Sequence, residues 1–229
     1  QVSIYQNSPV LKTHQAGGRV VLETPNGTVS ARQMVIGTDG YNELTPATGG
    51  VRKAIVPFRS AMIVSEPLEQ SVADSLFTEG RSYAETRRMM RWFRKVDNRL
   101  MYGGRGAFGK EDSESAFEAL RRAMFRQFPQ LEGKQITHRW SGLVALTLDS
   151  IPHLGRLDDK TVYAMGYNGT GVAMSSAIGK YVAAVVAGEK PDLGLITATP
   201  LKQVPMYGVR EPAVRMVAGW YQFLDAIGR

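Results

Sequence analysis

Cysteine is absent from these 229 residues. That excludes disulfides, thiolate-held zinc, iron–sulfur clusters, a thiol nucleophile and any cysteinyl link to a cofactor. It fits a reducing compartment, and a cytoplasmic location is the expectation. Histidine is scarce: His14, His138 and His153 are the only three, at no ligand spacing, so no metal site is expected. No Gly-x-Ser-x-Gly elbow marks a serine nucleophile. No run suits a membrane span. The longest apolar one, Val172 to Ala187, contains Ser175, Ser176 and Lys180 and reads as a buried helix. The chain opens Gln1-Val2-Ser3-Ile4-Tyr5 without the basic start and apolar core of a signal peptide, and without Met it reads as a processed chain or an excised piece.

What is present describes an ordinary globular protein, 43% hydrophobic and 21% charged. The net charge is +7, which raises the prospect of anionic partners. Much of the excess lies in Arg87-Arg88-Met89-Met90-Arg91-Trp92-Phe93-Arg94-Lys95, where basic and aromatic residues interleave as in a single-strand nucleic-acid binder. Strand alternation, however, puts Arg88, Met90, Trp92 and Arg94 on one face and Met89, Arg91, Phe93 and Lys95 on the other. Neither face is a clean basic stripe, so nucleic acid is the lesser reading.

Along the chain, residues 10–14 and 19–24 read as strands, and Asn26-Gly27 as a hairpin turn. Residues 28–37 read as one partner strand, whose apolar end Met34-Val35-Ile36 suggests burial on both faces in a parallel sheet. A long strand is expected over 54–66, with Pro57 near an edge or bulge. A hairpin turns at Asp97-Asn98, and Gly103-Gly104-Arg105-Gly106 closes it. Ser113 caps a helix to Phe128, with Phe117, Leu120, Met124 and Phe128 as one apolar stripe. Another strand covers 136–148. The last helix begins near Pro212 and carries Val214, Val217, Trp220, Tyr221 and Leu224. The order implies an α/β to α+β fold. Residues 1–50 and 144–229 are expected to share a sheet with buried strands, interleaved with a mostly antiparallel sheet over 51–143.

The most informative stretch is Gly166-Tyr167-Asn168-Gly169-Thr170-Gly171-Val172. A short apolar strand runs into it and a long helix leaves it. Backbone N–H groups then point outward together, with the positive end of the helix behind them. Such a site suits a phosphate, a carboxylate, or a ring oxygen that gains charge during reaction. A purely connecting tight turn gives the same pattern. Tyr41, Tyr102, Trp140 and Tyr167 sit beside turns or strand ends, where aromatics wall a flat ligand or pack a core.

Five segments taken together resemble the glycine/D-amino-acid oxidase family of flavoproteins, and within it the gamma-glutamylputrescine oxidoreductase branch. They are Asp97 to Gly104, Phe128-Pro129-Gln130-Leu131, Arg139-Trp140-Ser141-Gly142, Thr147 to Gly155, and the turn at Gly166–Val172. The resemblance implies an incomplete FAD-binding sheet (GR2-like) at 1–50 and 144–229, with a substrate domain at 51–143. It also implies oxidation of an amine or amino-acid C–N bond by hydride transfer to FAD, the imine then being hydrolysed and the flavin reoxidised by oxygen or another acceptor. Carried over residue by residue, Gly166, Tyr167, Asn168, Gly169, Thr170, Gly171 and Val172 would lie beside the flavin ring. Thr38, Gly40 and Tyr41 match a second flavin-contacting turn, and Val10 a backbone contact to the adenine.

Three departures from the family pattern stand out. Many relatives have His where Thr170 stands. Amino-acid-oxidising relatives place a carboxylate-binding lysine at the position of Ala173, so an amine without that grip is implied, or an anchor such as Arg59 or Arg94. Arg59, Arg94, Tyr102 and Trp140 are thus the candidate substrate contacts. Finally, no Gly-x-Gly-x-x-Gly follows a first strand. The dinucleotide grip is therefore expected from an N-terminal portion outside these residues, and this chain alone is expected to be inactive. A non-catalytic binding or assembly module remains the alternative, ahead of a basic nucleic-acid binder.

Overall fold

The computed structural model describes residues 2–77, 79–107 and 113–228. In chain order the first strands are β1 (Lys12–Ala16), β2 (Arg19–Thr24), β3 (Gly27–Ala31), β4 (Met34–Ile36) and β5 (Val56–Ser65). They are followed by β6 (Ser82–Ala84), β7 (Arg91–Val96), β8 (Arg99–Ala107), β9 (Ile136–Leu146), β10 (His153–Arg156) and β11 (Thr161–Met165). The α-helices are α1 (Gly49–Arg52), α2 (Gln70–Leu76), α3 (Glu114–Gln127), α4 (Gly171–Val186), α5 (Leu195–Ala198) and α6 (Arg210–Ala226). Two compact units interleave in sequence, 1–57 with 144–207 and 58–143 with 208–229. The last helix thus groups with the middle of the chain, whereas the sequence reading put it with 144–207. Its Asp225 carboxylate accepts the backbone N–H of Met89 at 2.9 Å and of Arg88 at 3.2 Å.

The first unit holds two three-stranded sheets. One is the antiparallel meander β1-β2-β3. Thr24 faces Gly27 there, so the turn residues are Pro25 and Asn26, one position earlier than expected. The expected single strand over 28–37 is two strands in different sheets: β3 pairs with β2, and β4 lies parallel to β11. The second sheet has the order β10-β11-β4. Its strand buried on both faces is β11, because Tyr163 and Met165 join one apolar cluster while Val162 and Ala164 join another under α4. β4 is not so covered, and Val35 is 46% exposed. Helix α4 is likewise only half-covered: Ile178 and Val185 are its buried residues. It is followed by Gly188, whose φ of 94° makes it a left-handed stop.

The second unit is built on a five-stranded sheet of order β6-β7-β8-β5-β9. Asp97 and Asn98 form the two-residue β7–β8 turn with φ of 46° and 55°, both left-handed as such a hairpin requires. One face packs on α3 through Phe117, Leu120, Met124 and Phe128, the stripe legible in the sequence. Phe77, Phe93 and Tyr102 stack there and Phe128 meets Phe93 edge-on, with ring centroids 5.2–5.8 Å apart for the Phe77–Phe93, Phe93–Tyr102 and Phe93–Phe128 pairs. Ser113 begins α3 but its hydroxyl pairs with Ser115 and makes no cap. Pro57 precedes the part of β5 that pairs with β8, and β5 lies inside the sheet with a register shift at Arg59/Ser60. The apolar residues of α6 are mostly exposed, Trp220 at 57%.

Gly103 and Gly104 do not close the hairpin; they lie within β8. A Cβ on Gly103 would stand 2.1 Å from Met62 Sδ and 2.4 Å from Trp92 Nε1. Trp92 donates to Met62 Sδ at 3.1 Å, so these two side chains cross above a bare backbone. Gly103→Ala is expected to destabilise the chain by about 1–3 kcal/mol through overpacking. Urea unfolding measures this, and Met62→Ala in the same chain should recover part of it.

Candidate functional site

The glycine turn follows β11 directly. Gly166 has φ of 78°, and a Cβ placed on it would meet Thr147 Cγ2 at 2.3 Å. Both the backbone conformation and the space therefore require glycine. Asn168 is also left-handed, at φ 52°, a conformation Asn tolerates better than most residues. Its N–H donates to Ala145 O at 3.0 Å, and its Oδ1 accepts from the Thr147 N–H at 3.0 Å. Its Nδ2 donates to Gly166 O and to Thr147 Oγ1. Thr147 Oγ1 in turn donates to Ile151 O at 3.0 Å. The turn is thus held against residues 145 and 147 by the backbone N–H and the side-chain amide of Asn168.

The second turn, after β4, begins at Asp39, which has φ of 43°. Its Oδ1 accepts the Gly166 N–H at 2.7 Å. Burial pushes the Asp39 carboxyl above its usual value, outweighing the N–H bonds from Gly166, Tyr167 and Gly40 that favour the charge. Thr38 donates to the buried Asn42 side chain, Gly40 is buried and Tyr41 is exposed. The structure therefore brings together the two turns nominated from sequence, through Asp39 inside the second of them. The signal was available: Asp is one of the few residues besides glycine that enter the left-handed region readily.

Helix α4 starts without a side-chain cap and without an acidic residue in its first turn. Thr170 turns its hydroxyl back to Tyr167 O at 2.7 Å instead. Val172 is 91% exposed at this helix start. An uncapped sixteen-residue helix with an apolar residue standing clear of its first turn offers N–H donors beside an exposed apolar side chain. That fits a planar ring carrying oxygen acceptors. Val10 is partly buried just before β1.

The loop behind the turn contains a second polar pair. His153, buried on β10, has Nε2 at 3.1 Å from Asp149 Oδ1 and Nδ1 at 3.3 Å from Thr199 O. Burial opposes the Asp149 charge, but hydrogen bonds from His153 and from the Ile151 N–H outweigh it and hold the carboxyl below its usual value. Among the described residues no group of three or more His, Asp or Glu is placed to hold a metal ion.

The candidate substrate residues lie in the second unit. Arg59 is nearly buried on β5, with Nη1 donating to Ser141 Oγ at 2.6 Å. Arg94 is exposed on β7, and Trp140 is 44% exposed on β9. Tyr102 requires a correction. It has no solvent exposure, stacks in the aromatic core and donates its hydroxyl to Gln127 Oε1 at 2.8 Å. Burial pushes that hydroxyl up to about 12. It is a core residue. The basic stretch is largely ion-paired: Arg88 with Asp225, Arg91 with Glu85 and Lys95 with Asp74. Nothing there favours nucleic acid.

Residues 1–185 match a model of the DAO family, described as FAD dependent oxidoreductase. The chain belongs to this family, whose cofactor is FAD. It is 31% identical to the Haemophilus influenzae protein named "Probable oxidoreductase OrdL", over 98% of this chain and 52% of that one. Gamma-glutamylputrescine oxidoreductase of Escherichia coli is 28% identical over 98% of this chain and 53% of its own length. The chain therefore spans about half the length of the curated relatives it matches. Its fold is similar to that of glycine oxidase from Geobacillus kaustophilus, with a TM-score of 0.65 at 21% identity, over 88% of this chain and 53% of that one. Among the described residues no helix is long and apolar enough to cross a membrane.

Two predictions test this site. Gly166→Ala is expected to cost about 2–4 kcal/mol, combining left-handed strain with overpacking. Adding Thr147→Ser, which deletes Cγ2 and keeps the hydroxyl, should return the packing part only; thermal and urea unfolding separate the two. Asp149 supplies the second. A carboxyl with a depressed folded pKa stabilises the fold above its unfolded value of 3.8 and loses that contribution as pH falls through the folded value. In Asp149→Asn, the acid-side slope of stability against pH should flatten.

Proposed function

We propose that this chain forms the ring-facing and substrate-facing part of an FAD-dependent amine oxidoreductase. The observation that carries the proposal is the meeting of the 38–42 and 166–172 turns at an uncapped helix start, in a chain of this family. FAD, when bound, supplies the two-electron acceptor for a hydride from the carbon beside nitrogen. The backbone donors of Gly169, Gly171 and Val172 and the start of α4 stabilise negative charge on the ring. Thr38, Gly40 and Tyr41 form the second wall, and Val10 meets the adenine side. Arg59, Arg94 and Trp140 are the substrate contacts.

An amine substrate is supported by the relatives' names, which include gamma-glutamylputrescine oxidoreductase and glycine oxidase. Ala173 leaves the α4 position without a lysine for a substrate carboxylate. The dinucleotide grip comes, on this reading, from polypeptide outside these residues, because no glycine fingerprint follows a strand and opens a helix here.

The test is anaerobic mixing of the FAD-loaded flavoprotein containing this chain with a panel of primary and secondary amines. Loss of the oxidised-flavin band with at least one amine is the expected result. Unchanged flavin with every amine would remove the assignment. The isolated chain should emerge from gel filtration colourless after incubation with FAD, and a retained flavin band would place the grip within it.

A further inference from the structure

Asp39 combines three features that core packing does not require. It is left-handed at φ 43°, its carboxyl is partly buried, and its oxygen ends on a backbone N–H of another segment, Gly166, at 2.7 Å. Both the conformation and the desolvation of the charge are unfavourable in themselves. What they obtain is a short charged hydrogen bond between two turns that lie 127 positions apart in sequence.

We propose that Asp39 is the positioning residue of the glycine turn: its carboxylate takes the first N–H donor, locks residues 38–42 to 166–168, and leaves the Gly169, Gly171 and Val172 donors to face a ligand, the Thr170 N–H being held by Tyr167 O at 2.9 Å. Hydrogen bonds from the Tyr167 and Gly40 N–H groups to the same carboxylate support this. Thr147 and Asn168 hold the turn from the other side, so Gly166 is fixed between a side chain that fills its space and one that binds its N–H. A fixed negative charge behind the turn also opposes charge gained by a ligand in front of it, partly cancelling the field of the α4 start. The ligand's identity as the flavin ring rests on the function proposed above; the positioning role does not.

Amide spectra of the isotopically labelled 229-residue chain test the role. The Gly166 amide shift should titrate with Asp39, above the ordinary carboxylate range. Tyr167, the titratable neighbour, stays protonated there because burial and the Asp39 charge both raise its hydroxyl. In Asp39→Asn, which keeps an acceptor oxygen, that titration should vanish while the Gly166 amide stays protected from hydrogen exchange. In Asp39→Ala, exchange at Gly166 and Tyr167 should quicken about tenfold or more, with the β11 amides unchanged. A Gly166 amide that does not titrate, or exchange in Asp39→Ala equal to wild type, would overturn the proposal. In the flavoprotein, Asp39→Asn should move the flavin midpoint potential to a more positive value. An unchanged potential beside the expected amide pattern would contradict the flavin reading and leave the positioning role standing.

Discussion

The backbone at Gly166 has no room for a side chain and no freedom in its N–H, and the candidate site depends on that double constraint. Thr147 closes the space where a Cβ would stand, and Asp39 accepts the N–H. The constraint is transmitted forward along the chain. Because Gly166 is left-handed and Asn168 is tied to Thr147, the strand β11 must leave its sheet at a fixed angle. Helix α4 then starts where its first donors have no protein partner in a cap. A buried strand with both faces covered supplies the rigid base for this turn.

The same economy is visible in the five-stranded sheet. Gly103 is bare so that Met62 and Trp92 can cross above it, while the opposite face is sealed by α3 and stacked aromatic rings. Rigid, closely packed sheets are suited to holding side chains such as Arg59 in one position, here through its hydrogen bond to Ser141. The chain belongs to the DAO family and spans about half the length of the curated relatives it matches; a site completed by polypeptide outside these residues is part of the proposed function.

What was legible in the sequence was local. The Asp97-Asn98 turn and the α3 stripe follow from the φ preferences and spacing of adjacent residues. Glycines between a strand and a long helix marked the candidate site for the same reason. Long-range partners were not legible. Residues 28–36 alternate as one strand would, and only the positions of β2 and β11 divide them between two sheets. Gly103 looks like a turn residue until Met62 and Trp92 are brought over it. Tyr102 sits beside glycines, as a ligand-walling aromatic would, yet the alternation of β8 points it into the core. The bond from Gly166 to Asp39 was not legible either, because its partners lie 127 positions apart in sequence.

The central claim, that the turn at Gly166–Val172 faces the flavin ring, can be measured directly because the chain has no cysteine of its own. Val172→Cys places a thiol at a position that is 91% exposed, and Met206→Cys places a control thiol at one that is 80% exposed. In the flavoprotein, alkylation rates at each site are read by peptide mass spectrometry with FAD bound and after its removal. The account predicts that FAD slows alkylation at position 172 and leaves position 206 unchanged. Equal rates at position 172 with and without FAD would contradict it.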